Sequence, residues 1–336
     1  MNVLLTGGMG YIGSHVALSL LENNHQVTIL DNLINSNKEV LDNIKLISSK
    51  KLNFVEGDIL DTLLVQNTLT NFKINAVIHL AGFKAVGESV EYPQKYYKNN
   101  LQGTISLIDA MTASNVKTLV FSSSATIYGI PNFLPITEEH PEYPNHPYGR
   151  SKFYIEQMLK DLANSMNDWR IVSLRYFNPV GSHVSGLIGD NPKGIPNNLM
   201  PYINQVAANI RPLLHVFGND YETPDGTGVR DYIHVEDLAE AHISALNWVD
   251  GFSNSSTNNF NTFNLGTGVG YSVIEIITSF EKTNNIKIPY KIVARRDGDI
   301  AASFADPSKA NIMLQWKAVR TLSDMCSSAW NFQKNK

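Results

Sequence analysis

Short apolar runs alternate with amphipathic stretches through the first half of the chain. The apolar runs are rich in β-branched residues and predict strands at Val3–Leu5, Gln26–Leu30, Asn53–Glu56, Ala76–His79, Thr118–Phe121 and Ile171–Leu174. The stretches between them have helical periodicity and predict helices at Tyr11–Glu22, Leu60–Asn71, Thr104–Ala113 and Tyr148–Asn164. Strands that are apolar on both faces and joined by helices form parallel sheets. The pattern therefore predicts an α/β fold with a doubly wound parallel sheet.

The pattern changes after Arg175. The stretch 178–225 is rich in Gly, Pro and Asn, with one predicted helix at Leu199–Ala208. A predicted strand at Asp231–Val235 then leads into a helix at Glu236–Trp248, and the polar stretch 253–261 is typical of a surface loop. We expect two interleaved domains. Residues 1–175 form the parallel sheet, to which a segment of about 230–250 returns, and 176–336 form mainly a smaller α/β part that covers its ligand-binding edge.

Composition and charge exclude several classes of protein. The 336 residues include 27 Lys and Arg against 31 Asp and Glu, a net charge of −4, so no basic surface for nucleic acid is expected. No stretch reaches the roughly 18 apolar residues of a membrane span, and the N-terminus lacks the basic segment of a secretory signal. The single cysteine, Cys326, excludes an intrachain disulfide, and the histidines show no metal-ligand spacing. We expect a cytoplasmic protein with no metal and no nucleic-acid or membrane partner.

A glycine-rich segment follows the first predicted strand and opens the first predicted helix. Its residues Gly7, Gly10 and Gly13 would permit a sharp turn, close approach of the backbone to a pyrophosphate, and tight packing of helix on strand. The pyrophosphate would lie at the helix N-terminus. Asp31 ends the second strand, 18 residues after Gly13, where a carboxylate binds an adenosine ribose and repels the 2′-phosphate of NADP. These features predict a Rossmann-like site for NAD.

A second group of residues could carry acid–base chemistry. Tyr148 and Lys152 are four residues apart in a predicted helix, so both side chains lie on one face. Ser124 follows a predicted strand, at the carboxyl edge where open α/β sheets bind ligands. The usual tyrosine pKa is near 10, and we expect the Lys152 ammonium and a positive nicotinamide ring to lower it. Tyr148 would then exchange a proton with a substrate hydroxyl, Ser124 would hydrogen-bond that oxygen, and Lys152 would also hold the nicotinamide ribose.

The glycine segment, Asp31, Ser124 and the spacing of Tyr148 and Lys152 resemble the extended short-chain dehydrogenase/reductases. Within that family the chain is similar to the NAD-dependent 4-epimerases of UDP-hexoses. The similar stretches cover nearly the whole chain: 6–15, 29–32, 55–59, 77–90, 121–129, 175–181, 194–202, 217–237 and 295–306. The resemblance implies reversible 4-epimerisation of UDP-galactose and UDP-glucose, as in galactose metabolism, by transient hydride transfer to tightly bound NAD.

The resemblance also implies roles for individual residues. NAD would be bound by Gly7, Gly10, Tyr11, Ile12, Gly13, Asp31, Asn32, Asn35, Ser36, Asp58, Ile59, Leu80, Ala81, Gly82, Lys84, Asn99, Tyr148, Lys152 and Phe177. The nucleotide sugar would be bound by Ser124, Thr126, Tyr148, Asn178, Asn198, Leu199, Phe217, Arg230, Arg296, Asp299 and Ser303. Phe217 would face the uracil, and Arg230 and Arg296 would bind the diphosphate, which suits planar guanidinium groups.

Three other functions remain open from the sequence. A nucleotide-sugar 4,6-dehydratase needs a further acid beside the serine, whereas Ala125 and Thr126 follow Ser124 here. A UDP-glucuronate 4-epimerase needs a cation near the sugar C6, which the sequence does not locate. A non-catalytic NAD-binding sensor or scaffold would be favoured by the loss of Tyr148 or Lys152, and both are present.

The resemblance extends to sugar specificity and assembly. Bacterial members restricted to UDP-glucose and UDP-galactose resemble this chain around 296–303 but carry tyrosine where Ser303 stands. Because serine leaves room beside the sugar C2, we expect UDP-GlcNAc and UDP-GalNAc to be accepted as well. The family also implies a homodimer, formed through helices such as Lys95–Ala113 and Ser151–Asn164.

Overall fold

A computed structural model describes residues 1–166, 168–251, 259–296 and 298–336. Its strands are β1 (Asn2–Thr6), β2 (Gln26–Asp31), β3 (Asn53–Glu56), β4 (Ala76–His79), β5 (Thr118–Ser124), β6 (Arg170–Tyr176), β7 (Asn178–Val180), β8 (Leu214–Phe217), β9 (Val229–His234), β10 (Phe260–Leu265), β11 (Gly270–Ser272), β12 (Tyr290–Val293) and β13 (Ala302–Ser303). Seven of them form the central sheet, in the order β10-β6-β5-β4-β1-β2-β3, and every pair in it is parallel.

Six of the twelve helices in the described residues lie where the periodicity predicts them. The twelve are α1 (Tyr11–Glu22), α2 (Glu39–Ser48), α3 (Thr62–Asn71), α4 (Val86–Glu91), α5 (Pro93–Tyr96), α6 (Gly103–Ala113), α7 (Pro147–Ser165), α8 (Leu199–Ala207), α9 (Val235–Asp250), α10 (Val273–Asn284), α11 (Ser308–Met313) and α12 (Leu322–Lys334). A π-helical stretch, Tyr97–Gln102, leads into α6, and a 3₁₀ turn, Ala125–Tyr128, follows β5. The structure adds six helices that the pattern did not predict: α2, α4, α5, α10, α11 and α12.

Helices cover both faces of the central sheet. One apolar cluster packs α1, α2 and α9 against one face, and a second packs α3, α6 and α7 against the other. Buried β-branched and leucine side chains of the inner strands belong to both clusters, which explains why these strands are largely apolar on both faces. The predicted doubly wound parallel sheet is confirmed.

The strand β10 was not predicted. The loop expected at 253–261 lies mostly outside the described residues, and its end is wrong, because β10 begins at Phe260 and pairs with β6. This strand and the packing of α9 against α1 bring two later segments back to the first sheet. The division into two domains at about 175 remains a prediction, and these contacts favour a return that extends beyond 230–250.

Two small sheets form beside the carboxyl edge of the central sheet. One contains β11, β9 and β13, with β7 paired to β9, and the other contains β12 and β8. A third apolar cluster joins them to α8, α10 and α12. Among the described residues, no helix is long and apolar enough to cross a membrane.

Candidate active site

The glycine segment between β1 and α1 is packed too tightly for larger side chains. Gly7 has φ +71°, and a Cβ there would lie 2.7 Å from the Ala81 nitrogen. A Cβ on Gly13 would lie 2.3 Å from the Gly7 carbonyl oxygen. Helix α1 follows Gly10 with no side-chain cap and no acidic residue in its first turn, so its N-terminal N–H groups are available to an anion. This geometry fits a dinucleotide pyrophosphate.

The predicted adenosine residues lie together at the ends of β2 and β3. The Asp31 carboxylate, which is nearly buried, accepts hydrogen bonds from the Met9 backbone at 3.0 Å and the Ser36 hydroxyl at 2.9 Å. It therefore joins the glycine segment to the loop after β2. The Asn32 amide donates to Asp58 at 2.9 Å. The remaining predicted residues of this group follow in the same two loops: Asn35 and Ile59.

The predicted nicotinamide residues lie on the other side of the glycine segment. Leu80, Ala81 and Gly82 directly follow β4, and a Cβ on Gly82 would lie 3.9 Å from the Lys152 ammonium nitrogen. The other members are Lys84, whose nitrogen is 5.9 Å from the Tyr11 ring centroid, Asn99, whose amide donates to Asn100, and Phe177, buried beside β10. Ile12 lies in the first turn of α1. These residues border the glycine segment, since a Cβ on Gly7 would lie against the Ala81 backbone.

The three predicted catalytic residues meet at the carboxyl edge of β5. Ser124 accepts hydrogen bonds from the Thr126 backbone at 3.2 Å and from its hydroxyl at 3.0 Å, and it is hydrogen-bonded to Tyr148. The ring of His146, which caps α7, is stacked parallel to the Tyr148 ring, with centroids 6.0 Å apart. The Lys152 ammonium donates to the Ser122 carbonyl oxygen at 2.6 Å. The arrangement places a phenol and two hydroxyls where a substrate hydroxyl could bind.

Burial dominates the electrostatics of this group in the protein alone. Burial raises the pKa of Tyr148 above its ordinary value, and the hydrogen bond from Ser124 opposes this rise only in part. In the protein alone the Lys152 ammonium is directed at Ser122, so its expected effect on the Tyr148 pKa together with NAD stays a prediction. Burial also lowers the pKa of Lys152 to about 8. A lowering of the Tyr148 pKa therefore requires the positive charges that would act on the phenol once NAD is bound, those of the nicotinamide and of Lys152.

The surroundings of Arg230 favour an anionic ligand at the predicted diphosphate position. This residue lies on β9, and Ser303 of β13 is its partner in the strand register. Among the described residues its guanidinium forms no ion pair, and its one hydrogen bond goes to the neighbouring Val229 carbonyl at 2.8 Å. Burial lowers the Arg230 pKa, which is the signature of a desolvated charge without a carboxylate at contact distance. A diphosphate supplies the oxygens that this group lacks.

The remaining nucleotide-sugar residues lie around Arg230 and at α8. The Arg296 guanidinium donates to Asp299 at 2.9 Å and stands 4.8 Å from the centroid of the Phe217 ring. Phe217, the predicted uracil contact, is therefore covered by an arginine in this state. The others are Asn178, which is on β7, Asn198, which precedes α8 and donates to Asp190 at 3.4 Å, and Leu199, which begins α8. No group of His, Cys, Asp and Glu that could hold a metal occurs among the described residues.

Several buried polar residues next to the site were not predicted from the sequence. The Asn100 amide bonds both backbone groups of Phe83 and the Ser151 hydroxyl, and so ties the segment after β4 to α7. Glu156 and Arg175 form a buried ion pair one helical turn beyond Lys152. Glu156 could have been found, because it repeats the four-residue spacing of Tyr148 and Lys152. Asn100 has no such signal.

A dinucleotide fold with a serine, a tyrosine and a lysine at its carboxyl edge defines a short-chain dehydrogenase/reductase type of enzyme. The model of the NAD dependent epimerase/dehydratase family matches residues 3–266. The chain belongs to this family.

Similarity to individual proteins covers the full length. The chain is 52% identical to UDP-glucose 4-epimerase of Bacillus subtilis (strain 168), over 100% of this chain and 97% of that protein. It is 51% identical to UDP-glucose 4-epimerase of Mus musculus, over 99% and 96%. A crystal structure of UDP-glucose-4-epimerase from Stenotrophomonas maltophila with bound NAD and formylated UDP-arabinopyranose has a TM-score of 0.97 and 49% identity, covering 100% and 98% of the two chains. The structure from Bifidobacterium longum in complex with NAD+ and UDP has a TM-score of 0.94 and 48% identity, covering 100% and 98%.

Proposed function

We propose that this protein is an NAD-dependent isomerase that interconverts UDP-galactose and UDP-glucose by inverting C4 of the sugar, as galactose metabolism requires. The observation that supports the proposal most is that the chain combines two features: the Tyr148–Ser124 pair at the carboxyl edge of the dinucleotide fold, and Arg230, which forms no ion pair among the described residues. The names and bound ligands of the relatives support the same activity. They do not favour a dehydratase, a glucuronate epimerase or a non-catalytic sensor.

Some residues of the site exchange the proton of the sugar hydroxyl, and others anchor the diphosphate of the substrate. Bound NAD supplies a hydride acceptor and donor for C4. The Tyr148 phenolic oxygen takes the proton of the 4-hydroxyl and later returns it, while the Ser124 hydroxyl holds that oxygen in place. Arg230 and Arg296 hold the diphosphate. Because the sugar must present both faces in turn, tight contacts belong at the UDP end, and the small hydroxyl residues Ser124, Thr126 and Ser303 suit the sugar end.

The test is to incubate the purified protein with UDP-galactose, without added NAD, and to separate the products by chromatography. We expect UDP-glucose to form. The matched variant Tyr148→Phe keeps the ring and should retain NAD, while its turnover should fall by about 10²–10⁴-fold, the usual contribution of a general acid–base. If the wild type formed no UDP-glucose even with NAD supplied, the proposal would fail, and UDP-glucuronate would be tested next.

We propose further that N-acetylated UDP-hexosamines are accepted. Ser303 is partly buried and pairs with Arg230 in the strand register, and its side chain, smaller than a tyrosine, would leave room beside the sugar C2. Ser303→Tyr should abolish turnover of UDP-GalNAc and preserve turnover of UDP-galactose, and Ser303→Ala is the control that keeps both. Equal loss of both activities in Ser303→Tyr would contradict the size argument.

A homodimer and a cytoplasmic location complete the proposal. The predicted interface helices carry exposed apolar side chains, since Ile105 of α6 is 42% exposed and Tyr154 of α7 is 46% exposed. The Tyr97 and Tyr154 rings also contact each other across this surface, with centroids 6.3 Å apart. Light scattering should give twice the monomer mass for the wild type and a reduced mass for Tyr154→Arg. A monomeric wild type would exclude the dimer.

A further inference from the structure

A buried carboxylate extends the catalytic face of α7 by one more turn. Tyr148, Lys152 and Glu156 follow each other at intervals of four residues, so their side chains lie along one face of the helix. Lys152 is 5% exposed and Glu156 is 1% exposed. Two buried charges of opposite sign therefore lie one turn apart, directly beyond the proton-exchanging tyrosine.

Strand β6 fixes the Glu156 carboxylate in place. The Ser173 hydroxyl donates to it at 2.8 Å, and the buried Arg175 guanidinium donates to it from Nε at 3.2 Å and from Nη2 at 2.6 Å. The same guanidinium also donates to the Tyr128 hydroxyl at 2.9 Å and forms an ion pair with Glu142. Since well-packed apolar residues often stabilise a core as well as a buried ion pair does, this construction suggests a role other than stability.

Lys152 has no carboxylate of its own. Its ammonium donates to the Ser122 carbonyl and lies 4.8 Å from the centroid of the Phe121 ring. Burial lowers the Lys152 pKa to about 8, and the negative charge of Glu156 opposes that change. Glu156 forms no hydrogen bond with Lys152 among the described residues, so it acts through its charge at a distance of one helical turn.

Other groups packed around Lys152 do not supply a negative charge. On β4, His79 is neutral, because burial and the Lys152 charge lower its pKa to about 3. On β5, the contacts are the Ser122 carbonyl and the Phe121 ring. The segment after β4 contributes the backbone at Gly82, and α7 itself contributes Tyr148, which burial keeps protonated. Glu156 is thus the one carboxylate among the described groups that favours the ammonium form.

We propose that Glu156 is a positioning residue for the proton exchange at Tyr148: its carboxylate, fixed by Arg175 and Ser173, keeps Lys152 protonated and in place. The proposal rests on the proposed function, since it assigns Glu156 a part in the same reaction. Glu156 lies one helical turn beyond Lys152, on the side away from Tyr148, and it acts only through Lys152.

A direct titration of Lys152 tests the proposal without using the activity. The protein as purified is labelled with ¹³C-lysine, and the Lys152 resonance is identified by its loss in Lys152→Met. In Glu156→Gln the midpoint of this resonance should move down by about half a unit to one unit of pH, since one nearby opposite charge is removed. The matched control is Glu142→Gln, which removes the other carboxylate of Arg175 but has no helical relation to Lys152. An unmoved midpoint in Glu156→Gln, or an equal shift in the control, would overturn the proposal.

The pH profile of turnover adds a second readout. In Glu156→Gln, the basic limb of the kcat profile for UDP-galactose should move to lower pH, so that turnover at pH 9 falls several-fold while turnover at pH 6.5 stays near the wild-type value. A uniform loss at every pH would mean a purely structural role. If the wild type does not epimerise at all, the proposed function fails, whereas the lysine titration still decides the role of Glu156.

A double variant addresses a failure to fold. Glu156→Gln leaves Arg175 buried with one carboxylate fewer, which could prevent folding. Glu156→Leu combined with Arg175→Met removes both charges together and keeps apolar volume, as is often tolerated in cores. The Lys152 midpoint should still move down in the folded double variant, but by less than in Glu156→Gln, because loss of the nearby Arg175 charge acts in the opposite direction. A midpoint at or above the wild-type value would overturn the proposal.

Discussion

Replacing Gly13 by alanine tests whether the glycine segment is shaped by packing against itself. The added Cβ would lie 2.3 Å from the Gly7 carbonyl oxygen and 2.7 Å from the Gly8 Cα, both backbone atoms that cannot rotate away. Overpacking of this kind costs about 1–3 kcal/mol, and contacts this short place it at the upper end. Alanine in a helix gains back about 0.5–1 kcal/mol relative to glycine. The expected loss of stability is about 2 kcal/mol, with displacement of the segment that fits the pyrophosphate.

Thermal unfolding and the NAD content of the purified protein measure this effect. Gly13→Ala should melt several degrees lower than the wild type and carry little NAD, even when excess NAD is present during purification. The control is Gly87→Ala in α4, where an added Cβ would meet nothing within 4 Å, and which should melt at or slightly above the wild-type temperature. If Gly13→Ala kept the wild-type melting temperature and full NAD content, the packing argument would be refuted.

Three further predictions concern single charged groups. Arg230→Met should raise the Kd for UDP, measured by calorimetry, about 10- to 150-fold, which is the value of one charge-assisted hydrogen bond. The NAD content should not change. An unchanged Kd would contradict the diphosphate role. Lys193 donates to the Leu33 and Ile34 carbonyls at 3.3 and 2.9 Å and so ties down the loop after β2, where the adenosine residues lie. Lys193→Met should therefore release NAD several-fold faster in a gel-filtration time course. An equal rate would show that this contact does not help to retain NAD. Because the folded pKa of Lys152, about 8, is below the unfolded value near 10.4, the unfolded chain binds more protons between these values. The contribution of Lys152 to the free energy of unfolding should therefore rise with pH in this window. Urea unfolding of the wild type and of Lys152→Met measures it, and the difference between their free energies of unfolding should change with pH there. A constant difference would be inconsistent with a buried ammonium.

The central strands could be predicted because they are apolar on both faces, whereas β10 could not. Its six residues include two asparagines and a threonine, and the side chains of Asn261 and Asn264 are buried. Asn264 accepts a hydrogen bond from the Tyr128 hydroxyl at 2.6 Å and donates to the Ile136 carbonyl at 2.9 Å. Buried polar groups that find partners elsewhere in the fold are stable, but a hydrophobic pattern does not reveal them.

In the candidate site, too, the spacing of residues predicts some features, whereas others depend on the tertiary structure around them. The four-residue interval from Tyr148 to Lys152 predicts a common helix face, and the structure has both on α7. The direction of the Tyr148 pKa could not be predicted, because it depends on burial and on which oxygen the Lys152 ammonium contacts. That oxygen belongs to Ser122 on a neighbouring strand, a relation that only the tertiary structure defines.

The two arginines that we propose to bind the diphosphate differ in their contacts in the structure without ligand. Arg296 already has internal partners, the Asp299 carboxylate and the Phe217 ring, whereas Arg230 has none among the described side chains. A ligand that carries a diphosphate and an aromatic base can replace both partners of Arg296, because the base takes the ring face and the phosphate takes the guanidinium. A free hexose offers neither group. It would leave the Arg296 contacts intact and Arg230 unpaired, so the energy of binding comes from the UDP portion, and the sugar is left with weak contacts that allow it to turn.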